Sequence, residues 1–348
     1  MHRVFALTTR GLEPVSADEI AALPGVTVDR VAYRRVTATC AASLSSLLQL
    51  RTVDDVFLDV ATWPDIGRPR SALAALGALS ARLDLHEVIA ACSEVRPVGC
   101  SPLFSITASF VGRRNYSTEE IKQVCAEGIA TGHGWPYTDD DATADLNVRV
   151  FIEHDTALVG VRLGKRPLHR RAYKQHHLPG SLKPPVAAAL LSLVEAGAGL
   201  RVLDPCCGVG TIPIEAAWGG AVTYGGDNDS AAIAAARANA QAAGVAARIL
   251  SWNAQALPIS DASVDRIVSN LPWGRAVRVD AALASFYRCV CAEMRRVIAP
   301  DGRIALLTST PHLVDLSDLR CDRQIEISLF GQAPVIMIFS AGGVLSDR

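Results

Sequence analysis

Apolar and polar positions alternate with a period of two in some stretches of the chain and with a helical period in others. Val4–Thr8, Val56–Val60, Phe104–Phe110, Ala144–Val150 and Thr156–Arg162 read as strands, and Gly25–Thr39 as a strand or hairpin. Pro14–Ala22 reads as a helix with Ser16 as its cap and Glu19 three residues on. Leu44–Leu50 predicts a short helix and the Ala/Leu-rich Ser71–Leu83 a longer one. Ser117-Thr118-Glu119-Glu120 opens another, which ends near Gly132-His133-Gly134. Beyond residue 185 strand and helix take turns. Leu200–Leu203, Val222–Gly225, Arg248–Leu250, Val264–Ser269 and Arg303–Thr308 are strands, with helices at Ile212–Ala217, Ser230–Ala243 and Ala281–Ile298. Gln324–Phe330 and Val335–Ser340 close the pattern as a hairpin.

Repeated strand–helix units imply an α/β domain built on a doubly wound, mainly parallel sheet with an antiparallel end strand. The first half implies α+β architecture. The expected divisions are a small unit over 1–60, a second mixed unit over 61–165, a linker over 166–184 and the doubly wound domain over 185–348. A length of 348 residues suits two or three domains. Half the residues are hydrophobic and a fifth charged, which excludes a mostly disordered chain.

A formal net charge of −1 excludes a generally basic nucleic-acid coat, so any such site is a local patch. One exists: Arg162, Lys165, Arg166, Arg170, Arg171, Lys174 and Lys183 fall in a stretch with no acid between Asp155 and Glu195. Lys165, Arg166, Arg170, Arg171 and Lys174 suit contacts to a phosphate backbone. Arg113 and Arg114, beside Tyr116, form a smaller patch. No run approaches the roughly 18 apolar residues of a membrane span. The start lacks a signal-peptide pattern, so a cytoplasmic protein is expected. The nine cysteines are odd in number and contain no Cys-x-x-Cys pair, which argues against a zinc ribbon or iron–sulfur cluster and for reduced, buried thiols. Asp139-Asp140-Asp141 reads as a solvated acidic loop, and no metal site is expected.

Chemistry concentrates where strands end. Leu203-Asp204-Pro205-Cys206-Cys207-Gly208-Val209-Gly210-Thr211 joins the first strand of the doubly wound domain to its helix. Two glycines let the backbone approach a ligand closely. The acid would repel a pyrophosphate and suits a cationic ligand, such as the amino group of a methionine moiety. Asp227 ends the next strand, 23 residues later, where an acid can hold a ribose diol. Asn270-Leu271-Pro272-Trp273 follows the fourth strand. An amide oxygen and a neighbouring backbone carbonyl can accept both hydrogens of one exocyclic amine, and an aromatic ring can stack on its base.

At these residues the chain resembles the class I S-adenosylmethionine-dependent methyltransferases. More narrowly, it resembles the branch that joins an N-terminal THUMP RNA-binding domain to a guanine-N2 methyltransferase domain. Three stretches carry the likeness: Leu168–Tyr173 with Ser181–Leu191, Asp204–Ala216, and Asn270–Gly274. The resemblance implies a Rossmann-like methyltransferase sheet preceded by ferredoxin-like and THUMP units. It places Asp204, Cys207, Gly208, Gly210 and Thr211 around the methionine end, Asp227 at the ribose, and Asn228 against the adenine. Asn253, next to Ala254, stands where relatives have an Asp facing the adenine amine. Asn270, Leu271, Pro272 and Trp273 would form the catalytic motif, with Asn270 also bordering the cofactor. Arg275 and Arg278 would contact phosphate. Leu271 replaces the first proline of the commoner motif, a change similar to the tRNA guanine-N2 enzymes.

The expected activity is methylation of a guanine N2 in tRNA, within the acceptor stem at a position such as 6, by a monomer. Position 10 and a ribosomal RNA guanine stay open. So does an RNA-binding protein whose catalytic site has decayed, which Asn228 and Asn253 would support.

Overall fold

Strand alternation and helix caps in the sequence resolve, among the described residues, into 22 helices and strands. The computed structural model describes residues 1–273 and 281–340. The chain divides into two units, Met1–Thr8 with Ala17–Leu168, and Thr9–Ser16 with His169–Arg348. The expected linker is therefore split between the units, at Leu168.

The first part of the chain runs β1 (His2–Leu7), α1 (Glu13–Ala21), β2 (Val26–Ala32), β3 (Arg35–Cys40), β4 (Asp55–Trp63), α2 (Ala72–Ser80), α3 (His86–Ser93), β5 (Phe104–Phe110), α4 (Thr118–His133), β6 (Leu146–Glu153) and β7 (Thr156–Arg162). Its strands form one sheet in the order β2-β3-β1-β4-β7-β6-β5. β4 pairs antiparallel with β1 on one side and with β7 on the other. Residue 60, the expected boundary, thus lies within a central strand of a continuous sheet. Leu44–Gln49 is a 3₁₀ turn, and α3 occupies a stretch for which the sequence predicts no element. The capping box of α4 forms as its residues dictate: Ser117 Oγ accepts from Glu120 N at 3.2 Å, and the Glu120 carboxylate accepts from Ser117 N at 2.8 Å. Glu19 does something else. Its carboxylate accepts from the backbone N–H groups of Arg51 and Thr52 at 2.7 and 2.8 Å, holding a distant turn rather than a helix end.

The second part comprises α5 (Pro184–Leu193), β8 (Arg201–Asp204), α6 (Thr211–Trp218), β9 (Val222–Asp227), α7 (Ser230–Ala243), β10 (Arg248–Ser251), β11 (Val264–Asn270), α8 (Ala281–Val297), β12 (Ile298–Thr308), β13 (Arg320–Glu326) and β14 (Val335–Ser340). Sheet order is β10-β9-β8-β11-β12-β14-β13. β14 runs antiparallel to both neighbours, and the other pairings are parallel. This is the doubly wound sheet with antiparallel end strands. Successive strand residues enter cores on opposite faces: Val202, Val268 and Leu307 on one, Leu203, Ile267 and Leu306 on the other. A strand buried on both faces reads as a continuous apolar run, as these do.

From β8 the chain steps outward through β9 to β10, then returns to the other side of β8 as β11. Strand order reverses between β8 and β11, and the crevice at their carboxyl ends is where such sheets take ligands. Asp204, Asp227 and Asn270 are the last residues of β8, β9 and β11.

Candidate active site

The turn after β8 is built by short polar links. Asp204 is buried, and its Oδ1 accepts from Ser269 Oγ at 2.8 Å and from Cys206 N at 3.1 Å. Burial pushes its carboxyl up to about 7, against the pull of those two donors. Gly210, the residue capping α6, has φ +83°, which disfavours any side chain. Gly208 N–H donates to Asp227 Oδ2 at 3.0 Å, and Asp229 N–H to Asp227 Oδ1 at 3.1 Å. The two acids are thus linked to one turn. Thr211 opens α6 with its side chain buried, and its Oγ1 has no hydrogen-bond partner among the described residues. Cys207 is buried and its thiol is held in the protonated form by burial and by both acids.

Asn228 and Asn253 are exposed and Ala254 is buried. The Asn253 amide oxygen closes a local turn by accepting from Gln255 N at 3.0 Å. The same oxygen also accepts from the Gln255 side-chain amide at 3.4 Å, so Gln255 alone engages it twice.

At the end of β11, Leu271 is buried and its N–H donates to Leu307 O of β12 at 3.0 Å. Trp273 folds back so that its Nε1–H donates to Asn270 Oδ1 at 3.0 Å. Its ring lies 6.3 Å, centroid to centroid, from that of Phe330. Phe330 sits with φ +53° beside Gly331 at φ +72°, in a two-residue turn closed by Leu329 and Gln332. An aromatic residue in that conformation is strained, yet 48 % of it is exposed. Nothing in the period-two pattern of Gln324–Phe330 marks it.

The basic residues divide sharply. Arg113, Lys165, Arg166 and Arg170 are exposed, with Lys165 3.6 Å from Asp145. The other three are corrections to the expected patch. Arg114 Nη1 donates to the carbonyls of Ile66 and Gly67 at 3.0 and 3.1 Å and to Tyr116 Oη, and Nη2 to His154 O. Arg171 is paired at 3.1 Å with Glu215, which is fully buried and also accepts from Tyr173 Oη at 2.9 Å. Lys174 donates to Leu182 O, and burial lowers its ammonium to about 8. These three cations are engaged within the fold. Gly274, Arg275 and Arg278 lie outside the described residues.

Two further residues shape the cofactor turn. The Trp252 indole donates to Pro205 O at 3.0 Å and lies flat against Gly226, where a Cβ would meet the ring at 2.1 Å. Asn239, fully buried on α7, accepts from Gln175 N and His176 N and donates to His176 O and Val209 O. It ties the segment before α5 to the turn. Its signal is visible in the sequence: one amide on the buried face that Ala232, Ile233, Ala236 and Ala240 otherwise form.

Among the described residues no group of three or more His, Cys, Asp or Glu is placed to hold a metal, and no helix is long and apolar enough to cross a membrane.

Residues 171–328 match the family model described as "UPF0020: RMKL-like, methyltransferase domain". The chain is 36% identical over 215 residues to the tRNA (guanine(6)-N2)-methyltransferase of Thermus thermophilus, covering 61% of this chain and 63% of that protein. It is 33% identical to the U6 snRNA (guanine-N(2))-methyltransferase THUMPD2 of Mus musculus, covering 59% and 38%. The matches thus span less than two thirds of either relative. The crystal structure of TrmN from Thermus thermophilus superposes with a TM-score of 0.77 at 29% identity, over 98% of this chain and all of that one. With Asp204, Asp227 and Asn270 at the strand ends that flank the crevice, residues 171–328 form a class I, S-adenosylmethionine-dependent methyltransferase domain similar to the RMKL-like UPF0020 model.

Proposed function

We propose that the chain methylates the exocyclic N2 of a guanine in tRNA. The observation that carries this is the placement of Asn270-Leu271-Pro272-Trp273 at the end of β11, next to β8 and the Asp204 turn. The 36% identity to a tRNA (guanine(6)-N2)-methyltransferase supports the substrate, and an acceptor-stem guanine such as position 6 is the target we favour.

The residues present fit the cofactor. Thr211 Oγ1, buried and unpartnered among the described residues at the start of α6, suits a carboxylate. Asp204 suits an ammonium group, and Asp227 a ribose diol. When bound, S-adenosylmethionine supplies a methyl carbon activated by its sulfonium. The protein's task is orientation. Guanine N2 is a poor nucleophile because its lone pair is delocalised into the ring. Asn270 Oδ1 and the Leu271 carbonyl would accept its two hydrogens and turn the lone pair toward the methyl group. Asn270 Oδ1 has a second lone pair beyond the one that Trp273 uses. Trp273 and Phe330 would flank a base drawn out of its stack. The proton of the alkylated amine then passes to water.

We assign 1–165 as the ferredoxin-like and THUMP RNA-binding units, which share one sheet across the expected boundary at residue 60, 166–184 as the basic segment and 185–348 as the methyltransferase domain. Arg113, Lys165, Arg166 and Arg170 are the exposed cations of the expected patch and would contact phosphate, in a cytoplasmic monomer. Changing Asn270 to Ala tests the reading. Turnover on tRNA falls at least a hundredfold while S-adenosylmethionine affinity stays within twofold; activity within tenfold of the wild type contradicts it. A non-catalytic RNA-binding protein is the second reading, favoured by the engagement of Asn253 in its own turn. Failure to bind millimolar S-adenosylmethionine in a calorimetric titration would select it.

A further inference from the structure

We propose that Tyr287 is a positioning residue that sets the geometry of the target loop through the Pro272 carbonyl. This rests on the reading of Asn270–Trp273 as the amine clamp. Tyr287 lies on α8, fully buried. Its hydroxyl is 3.1 Å from Pro272 O and 2.7 Å from Thr308 Oγ1. Thr308 Oγ1 is in turn 3.2 Å from Thr310 Oγ1, and it accepts from Thr310 N at 2.9 Å.

The direction of this chain follows from its last member. A carbonyl can only accept, so the one Tyr287 proton goes to Pro272. Thr308 then donates to Tyr287, and the Thr310 hydroxyl donates to Thr308. Thr308 and Thr310 thus both serve the Tyr287 hydroxyl, and a satisfied buried network of this kind is rigid.

The network meets a second hold on the same loop. Leu271 N–H donates to Leu307 O at 3.0 Å. Adjacent residues of β12, Leu307 and Thr308, therefore grip adjacent residues of the loop, Leu271 directly and Pro272 through Tyr287. Between the two grips lies the Leu271–Pro272 peptide, whose carbonyl is the second acceptor of the clamp. A proline nitrogen carries no hydrogen, so that peptide cannot anchor itself by donating a bond. Its plane is set from either side. Removing the Tyr287 hydroxyl frees the Pro272–Trp273 peptide, and with it the aim of the Leu271 carbonyl and the Trp273 ring.

Tyr287→Phe tests this by removing one oxygen while the ring still fills its space. Methyl transfer to tRNA should show kcat reduced about tenfold or more, since small misplacements of reacting groups are costly. KM for tRNA and the dissociation constant for S-adenosylmethionine should stay within twofold. Hydrogen exchange of the peptide covering 265–273 should quicken. Thr308→Val should lower kcat less, and should add nothing in the Tyr287→Phe background, where the chain is already broken. A Tyr287→Phe protein with kcat within twofold of the wild type would overturn the proposal. So would unchanged exchange at 265–273, or losses that simply add. A wild-type protein that makes no N2-methylguanosine would instead sink the amine-clamp reading, and the exchange comparison would still decide whether Tyr287 anchors the loop.

Discussion

Gly226→Ala is the most quantitative perturbation the cofactor turn offers. A Cβ at residue 226 would stand 2.1 Å from Trp252 Cε2, 2.4 Å from Cδ2 and 2.5 Å from Nε1. Carbon atoms pack at about 3.5 Å or more, so the ring must retreat by roughly 1.4 Å. Trp252 is buried, and its indole N–H reaches Pro205 O at 3.0 Å. A retreat of that size breaks the bond and leaves the donor unsatisfied. Overpacking costs about 1–3 kcal/mol, and stranding a buried donor about 1–3 kcal/mol more. The expected loss is therefore about 2–6 kcal/mol, read from urea denaturation. The turn is also held from the same residue, since Cys207 N donates to Gly226 O at 2.8 Å. Calorimetric titration should accordingly show weaker S-adenosylmethionine binding. In a Trp252→Leu background the clash disappears, and adding Gly226→Ala should cost less than about 1 kcal/mol, a coupling expected between contacting residues. Stability within about 0.5 kcal/mol of wild type for Gly226→Ala alone, a change typical of sites without a steric conflict, would refute the reasoning.

Other outcomes follow from the same geometry. The carboxyl of Asp204 is raised by burial to about 7, so its contribution to stability is fully present below the ordinary carboxylate range and is lost as pH rises through about 7. Asp204→Asn should flatten that slope in denaturation curves taken at several pH values. A cationic ligand favours the ionised acid, so S-adenosylmethionine binding to the wild type should tighten as pH rises toward about 7 and then level off; pH-independent binding would contradict this. Arg166→Glu and Arg170→Glu should weaken tRNA binding and shallow its salt dependence by about one ion per residue removed, measured by filter binding. Arg171→Ala should instead lower the thermal midpoint, because it removes the ion-pair partner of the buried Glu215 carboxylate; an unchanged midpoint with lost tRNA affinity would reverse that assignment. Phe330→Ala should raise KM for tRNA several-fold with cofactor affinity unaltered.

The sequence was most legible where one local rule decides the outcome. The α7 span Ser230–Ala243, the β5 span Phe104–Phe110 and the α4 capping box follow from periodicity and caps alone. The strand-end positions of Asp204, Asp227 and Asn270 follow from repeated strand–helix units. What escaped depends on distant partners. Pro184-Pro185 reads as linker, although proline in a first turn also starts helices, and α5 begins there. Glu19 sits where a capping partner belongs, but a turn 32 residues away claims it. Arg170 and Arg171 are neighbours of identical type. One is exposed, and the other is drawn onto a buried glutamate from α6 that no pattern of charge reveals. Trp252 and Tyr287 carry no mark of their own, since a buried aromatic that donates one hydrogen bond looks like any core residue until its partner is seen.

The central claim is most directly tested by methyl transfer from labelled S-adenosylmethionine to total tRNA and, separately, total ribosomal RNA, followed by nucleoside analysis. The account predicts N2-methylguanosine in tRNA, abolished by Asn270→Ala. Label confined to ribosomal RNA, or label on an atom other than guanine N2, would contradict it.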